Sequence, residues 1–160
     1  MQHHNDILKS LAKTLRSRGQ TVTCAESCTG GLLAAALTAL PGSSAWFNMG
    51  FITYSDQAKQ QLVGVNANTL SSEGAVSEAT VCEMAQGALT TAKADYAVSI
   101  SGIAGPEGGS KNKPVGTVWF GLATHTEVCA QQQLFEGDRE AIRTQAVTFA
   151  LSWLALICEA

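Results

Sequence analysis

The sequence predicts an α/β fold built on a mixed, mostly parallel sheet. Helix and strand patterns alternate through the first half of the chain. That alternation calls for parallel strands with helices on both faces. Two strand patterns then follow one another across a short turn, which adds an antiparallel strand. At 160 residues the chain has the length of one domain, taken as 1–160, with room for a substantial core.

Each element has a local reason. Ile7, Leu8, Leu11 and Leu15 share one helical face, and Gly19 is a stop signal. Thr21 to Cys24 reads as a short strand. Gly31 to Leu40 is an alanine- and leucine-rich helix, ended by Pro41 and Gly42. Trp46 to Tyr54 reads as a strand, and Ser55 caps a short helix to about Leu62. A loop of Gly, Asn and Ser follows. Ser77 caps the helix from Glu78 to about Thr91. Tyr96 to Ser101 is a buried-type strand, and Gly102 to Pro114 a long glycine-rich loop. Val115 to Ala123 and Val128 to Phe135 form a hairpin-like pair. Asp138 caps the last helix, Arg139 to Glu159, with Ile142, Ala146, Phe149, Ala150, Trp153, Leu154 and Ile157 on one wide apolar face.

Composition limits the possible functions. Apolar residues make up 46% and charged residues 14%, which places the chain among globular proteins and not disordered ones. The net charge of −3 leaves no basic stripe for nucleic acid, so no nucleic-acid partner is expected. No apolar run approaches the ~20 residues that span a bilayer, and Met1 to Asp6 lacks a signal peptide's basic and apolar regions. A cytoplasmic chain without a membrane partner is therefore expected. Five scattered cysteines (24, 28, 82, 129 and 158) read as reduced thiols. Cys24 and Cys28 lack a second ligand pair, so neither a metal nor another cofactor is expected.

The most informative stretch runs from Ala25 through Glu26, Ser27, Cys28, Thr29, Gly30 and Gly31. It lies where a strand turns into a helix. A helix start aims N–H groups and partial positive charge at a bound anion, and here it carries a candidate nucleophile beside them. The ordinary reading is a capped helix start with glycines for close packing. Two further polar clusters, Tyr54 to Lys59 and Ser101 to Gly109, follow other strands. With those strands parallel, all three clusters share the sheet edge where open α/β sheets bind ligands.

The residue types narrow the chemistry. The three histidines are His3 and His4, in a frayed tail, and His125, in a turn. A Ser-His-Asp triad is disfavoured, and a neutral lysine is the other route to an activated serine. Lys59 alone closely follows a strand end. Its ordinary reading is a solvated helix lysine; its position favours a base with a lowered pKa. Tyr54 is placed to relay a proton or orient the lysine, or it is an aromatic with its hydroxyl in water. Glu26 is a carboxylate at the helix start, a ligand contact, or both. The loop with Ser101, Gly102, Ala104 and Gly105 can cradle a phosphate, or serve as a flexible crossover. Arg139 is a surface residue, or reaches a phosphate or a partner subunit. A catalytically silent nucleotide-binding or interaction module and a Cys28-dependent small-amide hydrolase are the alternatives to a serine amidase.

Six stretches occur in order and span nearly the whole chain. They are Ala25 to Gly31, Tyr54-Ser-x3-Lys59, Gly74 to Ser77, Ser101 to Pro106, Lys113 to Thr117, and Phe135-x-Gly-Asp-Arg139. Together they resemble the CinA C-terminal domain family, the nicotinamide-nucleotide amidohydrolases. The resemblance implies a three-layer α/β/α fold with a mixed, mostly parallel five-stranded sheet. It implies hydrolysis of the carboxamide of nicotinamide mononucleotide (NMN) to nicotinic acid mononucleotide and ammonia, in pyridine nucleotide salvage. Carried over by motif, Ser27 and Lys59 do the chemistry with Tyr54 nearby. Full-length CinA proteins carry a further N-terminal domain, so this chain resembles the stand-alone deamidase. The mechanism expected is acyl transfer through Ser27, with N–H groups near Thr29 to Gly31 holding the oxyanion and the Ser101 to Gly105 loop holding the phosphate. A homo-oligomer, with a dimer favoured, is expected.

Overall fold

The computed structural model describes residues 2–160. The elements run α1 (Gln2–Arg18), β1 (Val22–Glu26), α2 (Leu32–Leu37), β2 (Phe51–Ile52), α3 (Asp56–Val63), α4 (Ala67–Glu73), α5 (Glu78–Ala92), β3 (Tyr96–Gly102), β4 (Thr117–Thr124), β5 (Val128–Leu134) and α6 (Arg139–Cys158). The five strands form one sheet in the order β2-β1-β3-β4-β5. β1 pairs in parallel with β2 and β3, and β4 pairs antiparallel with β3 and β5. Every strand except β4 therefore runs in the same direction. Helices α1, α2 and α6 cover one face, and α3, α4 and α5 the other. This is the three-layer α/β/α fold expected, with a mixed sheet.

Strand alternation sorts the core into two halves. On β1, Val22 and Cys24 face α1 and α6, whereas Ala25 faces α5. On β3, Val98 and Ile100 face the first layer and Ala97 the second. The β1–β3 register pairs Thr23 with Ala97, Ala25 with Ser99, and Glu26 with Ile100. α5 lies so close to β4 that a Cβ on Gly121 would stand 2.2 Å from the Val81 carbonyl oxygen. That oxygen also accepts a 2.6 Å hydrogen bond from Ser99 Oγ.

Several elements differ from expectation. The strand expected over Trp46 to Tyr54 shrinks to Phe51–Ile52, with a single bridge from Phe47 to Val22. Asn48, Met49 and Gly50 interrupt the β pattern, and Trp46 instead fills the core with no exposed surface. The loop expected after Leu62 contains α4, because the Asn66 side chain caps it by accepting from Asn68 N–H. α2 stops at Leu37, three residues early. His3 and His4 belong to α1, where the His4 ring hydrogen-bonds Thr148 on α6. α6 corrects the expectation about apolar segments: by length and composition it is long and apolar enough to cross a bilayer. Its apolar side is core, with Ile142, Ala146, Ala150, Leu151 and Leu154 fully buried.

The start of α2 is built by tertiary contact. Gly30 and Gly31 take positive φ of 55° and 107°, and no side chain at the N-cap position satisfies the first amides. Glu26, fully buried at the end of β1, supplies the missing acceptor. Its carboxylate accepts from Thr29 Oγ1 at 2.6 Å, Leu33 N at 2.8 Å and Ala34 N at 2.9 Å. Hydrogen bonds to a charged group contribute about 1.5–3 kcal/mol, and buried donors left unpaired carry a desolvation cost. Glu26→Ala orphans three donors and is expected to cost at least ~3 kcal/mol, which lowers Tm by roughly 6–12 °C for a chain of this size. Thermal unfolding followed by circular dichroism checks this; a Tm within about 2 °C of wild type would refute it.

Candidate active site

The carboxyl ends of β1, β2 and β3 meet at a cavity of about 320 Å³. Ser27, directly after β1, lines it, as do Tyr54, Lys59, Ser101, Gly102, Ala104, Gly105 and Arg139. The sequence thus brings its three polar clusters to one sheet edge. Asp56, Glu107, Cys28, Ala75 and Val76 complete much of the remaining wall.

Lys59 and Ser27 form the centre of the site. Ser55 caps α3 by accepting from Ala58 N–H at 3.0 Å. One turn later, Lys59 and Val63 occupy the helix face turned inward. Lys59 therefore takes a position where an apolar side chain is the norm, and it is 1% exposed. Its ammonium donates to Ser27 Oγ at 3.1 Å, to the Thr53 carbonyl at 2.9 Å and to the Tyr54 carbonyl at 3.3 Å. Ser27 Oγ in turn donates to the Tyr54 carbonyl at 3.3 Å. Among the described residues no carboxylate lies within ion-pair distance of Lys59. Burial holds its pKa below that of an ordinary lysine, and Asp56 partly opposes the shift.

Other residues take positions the sequence did not indicate. Tyr54 meets the pair through its backbone carbonyl, whereas its exposed phenol accepts from Arg139 Nη2 at 3.2 Å. Arg139 Nη1 also donates to the Gly105 carbonyl at 2.8 Å, so it ties the rim together. Glu26 does not reach the cavity. It precedes Ser27 on an extended chain, so the two side chains point to opposite faces of the sheet. Thr29, Gly30 and Gly31 do not line the cavity either. Thr29 is buried against Glu26, and Gly30 N–H donates back to the Ser27 carbonyl at 3.0 Å. The Gly30 N–H, one of the donors expected for the oxyanion, is therefore already engaged within the turn.

Arg143 was not legible as a site residue. Its Nε donates to the Cys28 carbonyl at 3.0 Å and its Nη2 to the Thr29 carbonyl at 3.3 Å. Its only sequence signal is its spacing, one helical turn beyond Arg139. Cys28 lines the cavity but is a poor nucleophile. Burial pushes its thiol up to about 11, against the opposing pull of the backbone N–H groups of Cys28 and Gly102. Among the described residues no group of three or more His, Cys, Asp or Glu side chains is arranged to hold a metal ion.

The same architecture occurs in known proteins. The profile of the CinA C-terminal domain matches residues 4–158. Nicotinamide-nucleotide amidohydrolase PncC of Escherichia coli K12 is 57% identical over 147 residues, 91% of this chain and 89% of that one. The PncC of Pseudomonas putida is 47% identical over 144 residues, 90% of each chain. The crystal structure of a CinA superfamily protein from Klebsiella pneumoniae 700603 superposes with a TM-score of 0.92 at 46% identity, covering 98% of both chains. On this match of sequence, fold and topology, the chain belongs to the CinA C-terminal domain family.

Proposed function

We propose that the protein hydrolyses the carboxamide of NMN to nicotinic acid mononucleotide and ammonia, with Ser27 as nucleophile and Lys59 as its base. The observation that carries this reading is the buried, carboxylate-free lysine 3.1 Å from a serine hydroxyl in the wall of a cavity. The substrate comes from the names of the amidohydrolase relatives.

Neutral Lys59 keeps two N–H bonds, to the Thr53 and Tyr54 carbonyls, and turns its lone pair to Ser27. The Ser27 hydroxyl hydrogen leaves the Tyr54 carbonyl for Lys59 Nζ as Oγ bonds the amide carbon and the carbonyl pair moves to oxygen. The C–N bond then breaks, and ammonia departs with the proton from Lys59. Water gives a proton to Lys59 and its oxygen to the acyl carbon, and Ser27 recovers its hydrogen from Lys59. Arg139 and the Gly105 loop, which line the same cavity, supply a cation and backbone N–H groups for the phosphate.

Paired variants at one turn identify the nucleophile. Ser27→Ala is expected to release no ammonia from NMN, while Cys28→Ala keeps most activity. The reverse pattern in an ammonia-release assay assigns the reaction to the cysteine.

Lysine as base sets the pH dependence. Only neutral Lys59 accepts a proton, so kcat/KM rises with pH through a pKa below ~10.4. Lys59→Ala loses at least ~10²-fold in rate. The same lowered pKa acts on stability. Between the folded pKa and ~10.4 the unfolded chain binds more protons, so wild type gains stability as pH rises. Urea unfolding from pH 7 to about 10 should therefore show wild type gaining on Lys59→Met. A constant difference between the two proteins would exclude a lowered Lys59 pKa.

The phosphate distinguishes a nucleotide enzyme from a general amidase. NMN is expected to exceed free nicotinamide by ~10²-fold or more in kcat/KM, about 3 kcal/mol from one well-held phosphate. Part of the loss should fall on kcat, because remote binding energy orients the amide. Equal specificity constants would refute the nucleotide reading.

A further inference from the structure

We propose that the Ser101 hydroxyl is an oxyanion donor of this site, acting with the Cys28 N–H on the side of Ser27 opposite Lys59. The inference deepens the amidase reading and rests on it.

Three observations carry it. First, Ser101 is 1% exposed, yet its hydroxyl makes no hydrogen bond among the described residues. Every other serine at a strand end or helix start near it is engaged: Ser27 with Tyr54, Ser77 with Gly74, Ser99 with Val81. Ser101 Oγ is also not sealed in the core, where Trp46 Nε1 is the only orphaned side-chain atom among the described residues. It opens on the cavity it lines. A hydroxyl that opens on the cavity and is tied to no protein acceptor is free to donate to a group bound there.

Second, the register puts it beside the nucleophile. Ala25 pairs with Ser99, and Ser27 N–H donates to the Ile100 carbonyl, so the pairing continues to Ser27 beside Ser101. Paired residues on adjacent strands face the same side, with backbones about 5 Å apart.

Third, the flanks of Ser27 are chemically different. Lys59 arrives from the β2 side, where it also holds the Thr53 and Tyr54 carbonyls. The departing nitrogen must lie on that side to take the lysine proton. The oxygen of the same tetrahedral carbon is then turned to the β3 side, where Ser101 waits. The N–H of the residue after the nucleophile is a common second donor, and here that residue is Cys28, which lines the same cavity. The Gly30 N–H is turned to the Ser27 carbonyl, and Thr29, Gly30 and Gly31 do not line this cavity.

Ser101→Ala tests the assignment, with Ser101→Cys as a volume-conserving second variant that donates only weakly. Removing one oxyanion donor typically costs 10²–10³-fold in kcat. Both variants are expected to lose roughly that much kcat on NMN, with KM within about threefold of wild type and Tm unchanged. In a Ser27→Ala background, Ser101→Ala should leave the NMN dissociation constant unchanged, since ground-state binding does not use the donor. Retained kcat in a folded variant overturns the proposal. A raised KM on NMN at constant kcat also overturns it, and makes Ser101 a ground-state contact. Wild type separates this from the underlying reading. If wild type fails on NMN but hydrolyses another carboxamide, only the substrate falls, and the Ser101 variants are read on that amide. If it hydrolyses no carboxamide, both fall.

Discussion

The site depends on the alternation of two neighbouring side chains at the end of β1. Glu26 and Ser27 are consecutive on an extended chain, so they face opposite layers of the fold. The Glu26 carboxylate is sunk beneath α2 and takes three donors there. Ser27 is thereby held towards α3, where Lys59 enters. The sheet also separates the buried carboxylate from the buried ammonium. With Glu26 on the other face, the two would pair, and an opposite charge a few ångströms away would favour the charged lysine. Held apart, the lysine keeps the desolvation that pushes it towards neutrality.

A lysine in that position must be stable in both protonation states for the reaction to cycle. The three oxygens around Nζ provide for this. Charged, Lys59 gives one hydrogen each to Thr53, Tyr54 and Ser27. Neutral, it keeps the two backbone acceptors and presents its lone pair to the serine. The backbone carbonyls are fixed by the turn after β2, so they hold Nζ in one place through both states. This is why the tyrosine matters first as a backbone position. Its ring stands at the rim, held by Arg139.

What the sequence made legible, and what it hid, follows from this geometry. The strand-to-helix turn, Lys59 and the glycine-rich loop could be read because each follows a strand end, and parallel strands bring such ends together. The role of Glu26 could not be read from proximity to Ser27. It depends on β1 running two residues beyond the apolar pattern, which ends at Cys24, and on the phase of alternation there. α4 was hidden because Asn, Ser and Gly suit both loops and caps, and only the Asn66 side chain shows which applies. The strand expected over Trp46 to Tyr54 failed because Trp46 serves the core from irregular backbone. Arg143 was hidden because its partners are carbonyls more than a hundred residues away.

α6 connects this edge to the rest of the molecule. Two arginines near a helix N-terminus oppose the macrodipole, which favours acidic residues there. The sequence breaks the local rule, and the compensation lies in tertiary contacts. Arg139 holds the Gly105 carbonyl and the Tyr54 phenol, and Arg143 holds the Cys28 and Thr29 carbonyls. Loops following β1, β2 and β3 are thus fastened to one helix end. The remainder of that helix is buried through Ile142, Ala146, Ala150 and Leu154. The apolar length that gives α6 the composition of a membrane span is what anchors the arginines. Cooperative core packing on one side of the sheet therefore fixes the loops that carry Ser27 and Tyr54, and with them the oxygens that meet Lys59. Pre-organisation of this kind is what acyl transfer requires, because charge develops faster than loops can rearrange to receive it.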